Sequence, residues 1–246
     1  MSTKTHAFPA RSLLATLLIA ACASASAHTV WLEAETAAGQ YRVVFGGHEG
    51  RTEAYAASKV GPLDAFAADG GTLPVVRSET GDGVRVRVEG DAAVLLLSFD
   101  NGIWSRAEAG RSIKKPMNEV PGAVSGVRAL KYHKTISSWD RGSRAATRAW
   151  GQPFELVPAD AAAPRAGVPL KLRVLIDGKP AAGISVAAGE EGGPGAVSDA
   201  DGFATIVPQA GFNRIWAGQR SEVEGDPRYT TLSIEYLLGF DAEPQR

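Results

Sequence analysis

A single cysteine, Cys22, stands in the 246 residues. An intramolecular disulfide is excluded. Because Cys22 falls in what reads below as a leader, thiolate metal sites and cysteine nucleophiles are excluded with it. Histidine is scarce too, with four in the chain. Charge of one sign is lacking: 26 Lys and Arg face 27 Asp and Glu, so nothing marks a nucleic-acid footprint. No apolar run reaches the roughly 20 residues that a membrane-spanning helix needs. Enzyme motifs are missing as well. His48-Glu49 is followed by Gly50-Arg51-Thr52, so there is no H-E-x-x-H, and neither G-x-S-x-G nor a phosphate-loop G-x-x-x-x-G-K-[ST] occurs. The chain is expected not to be an enzyme.

What is present begins with an export signal. Lys4 and Arg11 form a basic region, Ser12 to Ala21 an apolar one, and Ala25-Ser26-Ala27 a cleavage signal, so residues 1–27 read as a signal peptide and the protein as periplasmic. Ile19-Ala20-Ala21-Cys22 also fits a lipobox, which makes a lipoprotein anchored at Cys22 the alternative. Cleavage after Ala27 leaves His28 first. Losing Lys4 and Arg11 takes the basic count from 26 to 24 against 27 acidic residues.

The remaining sequence reads as all-β. Hydrophobic residues make up 44%, enough for a core, and they alternate or fall in short β-branched runs between Gly, Pro, Asp and Asn. Strands are expected over Thr29–Glu33, Gln40–Phe45, Val84–Val88 and the buried run Ala92–Phe99. A short helix fits Thr52–Ser58, and long loops fit Asn101–Val127, placed over a site. Val127–Trp139 fits a strand or a helix, and 141–148 is helix-compatible. Beyond Gly151, short strands recur between turn signals such as Asp177-Gly178 and Asp199-Ala200-Asp201-Gly202. Two β-sandwich domains follow: 28–150, and 151–246 as a small Greek-key, Ig-like or prealbumin-like sandwich. The five tryptophans read as core and interface residues rather than a sugar platform.

Three histidines survive processing: His28, His48 and His133. Freed at the N-terminus, His28 offers an imidazole and an α-amine whose reference pKa is about 8, two nitrogen donors on one residue. A second imidazole completes the N3 set that copper and nickel favour. His48 is the candidate, since Gly46-Gly47 permits a tight bend at the end of its strand. Glu33, Glu35 and Glu49 are further oxygen donors. His133, between Tyr132 and Lys134, reads first as a surface or hydrogen-bonded histidine and stands as the weaker third ligand.

Several short motifs carry a resemblance: Ala27-His28-Thr29-Val30-Trp31-Leu32, Gly47-His48, Lys131-Tyr132-His133-Lys134, the segment Gly151 to Pro158, Val174 to Pro180, and Ser198 to Gly202. Over nearly all of the processed chain the sequence resembles a bacterial domain-of-unknown-function family described as the periplasmic component of cobalt or nickel transport systems. The resemblance implies periplasmic location and metal-cation handling, with the family's two histidine motifs falling on His28 and His48. It gives His133 no role. The second half also looks like the prealbumin-like or carboxypeptidase-regulatory sandwich. The expectation is a binder of nickel, cobalt or copper working with a membrane transporter or an outer-membrane receptor. Two other readings stay open: a histidine-brace copper oxygenase and a non-catalytic interaction module.

Overall fold

The computed structural model describes residues 28–47, 51–139 and 144–245. The leader, the lipobox cysteine, His48 and Glu49 lie outside the described residues, as do 140–143.

The fold is all-β, built from three sheets in a sandwich-like arrangement. In the first sheet, β1 (Thr29–Ala34) pairs with β2 (Gln40–Gly46), β2 with β6 (Gly83–Val88), and β6 with β5 (Val75–Thr80). The large sheet holds β3 (Val60–Phe66), β4 (Thr72–Leu73), β7 (Val94–Ala107), β8 (Ala123–Ile136), β12 (Ser185–Ala188), β13 (Gly195–Val197), β15 (Gly211–Glu222) and β16 (Thr231–Ala242). Their order is β13-β12-β15-β16-β8-β7-β3-β4. The third sheet centres on β10 (Leu170–Ile176), flanked by β9 (Phe154–Pro158), β11 (Lys179–Pro180) and β14 (Phe203–Ile206).

The large sheet is the middle layer. Alternation along β7 sends Leu95, Leu97 and Phe99 into one core with Val30, Leu32, Val43 and Phe45. It sends Val94 and Leu96 into a second core with Leu156, Leu172 and Val174. A strand covered on both faces reads as a continuous apolar run rather than an alternating one, which is why Ala92–Phe99 stands out in the sequence. The β1–β2 hairpin is buried on both faces as well, with Trp31 and Val44 packed on Ala187, Trp216 and Leu237.

The expected division near residue 150 falls between β8 and β9. The parallel pairing of β16 with β8, from Thr231↔Val127 to Phe240↔Ile136, joins strands from either side of it into one sheet. Other expectations change in detail. The helix over Thr52–Ser58 does not form. Thr52 bridges back to Gly46 and the Glu53 amide donates to the Phe45 carbonyl, leaving one 3-10 turn at Ala57–Lys59. The stretch Asn101–Val127 is not all loop, because β7 and β8 run on as a long hairpin to Ala107 and from Ala123. β8 settles Val127–Ile136 as strand, with Ser137–Trp139 beyond its end.

Candidate metal-capture site

His28 stands just ahead of β1, and the pairing Thr29↔Gly46 sets it at the same sheet end as the close of β2. Residues 51–53 run back along that end of β2. The Gly47 amide donates to the Arg51 carbonyl at 3.0 Å, closing the backbone on both sides of residues 48–50. Gly46 makes this possible: its φ is +151°, and a Cβ there would lie 2.2 Å from the Arg51 carbonyl oxygen. The returning strand-like segment carries Glu53 beside His28.

The His28 Nε2 donates to Glu53 Oε1 at 2.6 Å. Its ring stacks on Phe45 with centroids 5.4 Å apart, and Phe45 stacks in turn on Phe99 at 4.9 Å. Tyr55 meets Phe99 edge-on, and its hydroxyl bridges the Val43 carbonyl and the Val84 amide, pinning β2 to β6 where their pairing ends. The imidazole is therefore oriented by a stack on one side and a carboxylate on the other. The Nε2 contact puts a carboxylate on one of the two ring nitrogens. A carboxylate on the opposite ring nitrogen is the usual partner of a metal-ligating histidine.

Behind this pair lies a cavity of about 520 Å³, within the size range of small-ligand sites. Its floor is Lys131 and Glu235, opposite each other in the parallel β8–β16 register and joined at 2.8 Å with both side chains buried. Lys59, Lys114 and Arg220 add three more cations to its wall. The Lys59 ammonium donates to Asn101 Oδ1 at 2.7 Å. Burial pushes its pKa down, as do the neighbouring Lys114 and Lys131, while Glu53 acts the other way.

His133 is placed elsewhere. It sits on β8, fully buried, with Nδ1 donating to the Leu237 carbonyl at 2.8 Å and Nε2 accepting from the Thr135 hydroxyl at 2.7 Å. Burial lowers its pKa to about 3. It does not line the cavity that holds His28. Glu33 and Glu35 are drawn into pairs with Arg42 and Arg85. Among the described residues no three His, Cys, Asp or Glu side chains converge on a point, and His48 and Glu49 lie outside that set. The sequence reading missed Glu53 and the cations around the cavity. No spacing signals them, because the reversal after Gly47 and the β8–β16 pairing are what bring them to His28.

The Asp199–Gly202 segment is the expected turn, with Asp199 Oδ1 accepting from the Asp201 and Phe203 amides. Trp31 and Trp216 are core residues, whereas Trp104 lines the cavity.

A family model described as "Domain of unknown function (DUF4198)" matches residues 25–220. An uncharacterized protein of Haemophilus influenzae is 33% identical over 219 residues, covering 89% of this chain and 92% of that protein. No solved structure matches the chain.

Proposed function

Starting from a chain that belongs to the family described as Domain of unknown function (DUF4198), we propose a periplasmic protein that captures a transition-metal ion, nickel, cobalt or copper, and passes it to a transport system. The ion is cargo. The observation that carries this reading is the 2.6 Å contact between His28 Nε2 and Glu53. A carboxylate on one ring nitrogen is the usual outer partner of a metal-ligating histidine, and signal-peptide cleavage after Ala27 would add the His28 amine as a second donor. His48, next in the chain after Gly47, supplies the further imidazole. His133 takes no part in this ligand set, since its two ring nitrogens already serve Leu237 and Thr135.

The test is a calorimetric titration of each of the three ions into the protein that begins at His28. His28→Ala is expected to abolish tight binding. Glu53→Gln keeps the shape but weakens the acceptor, and is expected to lower affinity by about 10- to 100-fold, the range for outer partners of metal ligands. Equal affinities for the parent and His28→Ala would remove the proposal.

A further inference from the structure

The charge around the cavity favours an anionic occupant over a bare cation. Lys59, Lys114, Lys131 and Arg220 face Glu53 and Glu235, four cations against two carboxylates. The Lys131–Glu235 pair neutralises itself. Among the described residues neither Lys114 nor Arg220 joins an ion pair; both line the cavity, and Arg220 also lines the neighbouring recess with Glu191. Like charges gathered on one wall repel, and the fold holds them there. Lys114 is fixed by its neighbours: Ile113 exchanges two 2.8 Å backbone hydrogen bonds with Ser105, and the buried Ser105 hydroxyl donates to the Lys115 carbonyl at 2.6 Å. A positive field in a recessed site concentrates anions and disfavours a free divalent cation relative to its anionic complex.

Resting on the metal-capture reading, we propose that the ion arrives as an anionic chelate of a small polycarboxylate, with Lys59, Lys114 and Arg220 holding the carboxylates while His28 holds the metal. Guanidinium and ammonium groups are matched to carboxylates by charge-assisted hydrogen bonds. No covalent or redox step is involved. The chelate keeps its metal and completes the coordination that His28 alone leaves open. The same three cations set selectivity, because they penalise the hydrated ion and favour its negatively charged complex.

Citrate is the probe. Calorimetry compares nickel alone, citrate alone and 1:1 nickel citrate on the protein beginning at His28, and on the Lys114→Ser/Arg220→Ser double variant. Both substituted residues are exposed, so the fold is expected to persist, and an unchanged melting temperature checks it. Nickel citrate is expected to bind at least tenfold tighter than nickel alone. The double variant should lose that advantage while its affinity for nickel alone does not fall. Citrate alone should bind weakly, depend on the two cations and be indifferent to His28→Ala. If citrate merely lowers the apparent nickel affinity by competing for the ion, and the double variant changes nothing, this inference fails and metal capture stands. If neither nickel nor nickel citrate binds, metal capture fails and takes this inference with it.

Discussion

The His28 imidazole gives its Nε2 hydrogen to Glu53 at 2.6 Å and lies stacked on Phe45. His133 shows the opposite arrangement of the same side chain, since both of its nitrogens are used inside the core and its neutral form is the one that fits. Its pKa is about 3 when folded, against an ordinary value of 6.5. Between those values the unfolded chain binds the proton and the folded one does not, so stability is lost as pH falls below about 6.5. The limiting slope for one group is about 1.4 kcal/mol per pH unit. Chemical denaturation at pH 7.5, 6.0 and 5.0 is expected to show this fall for the parent and a shallower one for His133→Gln; parallel profiles would contradict it. At this scale the sequence singled out His28 by a pattern that reads as a leader junction, and the structure sets it beside Glu53. Glu53 was not legible in the sequence, since nothing local to residue 53 says that the chain turns back on β2.

Among the elements, the reversal after β2 does most to build the site. Gly46 lets Arg51 and Thr52 pass against the strand, and a side chain there would meet the Arg51 backbone and hold a φ that L-residues rarely adopt. Strain of this kind costs about 1–3 kcal/mol. Gly46→Ala is therefore expected to lower the melting temperature and to weaken metal binding together, because the segment carrying Glu53 must move. Unchanged stability would show that the reversal tolerates a Cβ. The pair Gly46-Gly47 was readable as a bend, β6 and β10 were readable from alternation, and β1 and β2 from short apolar, β-branched runs. β3 was not. Its Gly61-Pro62 reads as a breaker, yet the two sit where the β3–β7 register shifts between Val60 and Leu63, a bulge that tolerates a missing donor.

Across the whole molecule, the middle sheet carries polar pairs that the outer layers cover. Lys134 is fully buried, 3.8 Å from Glu155, and among the described residues its Nζ donates no hydrogen bond. Burial pulls its pKa down to about 8 while Glu155 acts against the fall. Glu155 is better held, accepting from the amides of Trp150, Gly151 and Gln152. Lys134→Met, which leaves Glu155 on its three amides, should cost less than Glu155→Ala, which strands a buried cation and three amides and should cost about 3–5 kcal/mol. Denaturant midpoints for the two variants check this, and the reverse order would contradict it. The all-β class was legible from periodicity. The β16–β8 pairing was not, because a parallel register between strands some hundred residues apart leaves no local pattern. That pairing brings Glu235 to Lys131 and makes the cavity floor.

The most direct measurement compares nickel affinity of the protein beginning at His28 with that of the same protein carrying one extra N-terminal alanine. The extra residue turns the His28 amine into an amide and leaves every side chain in place. A loss of tight binding is the predicted result, and equal affinity for the two forms would contradict the account.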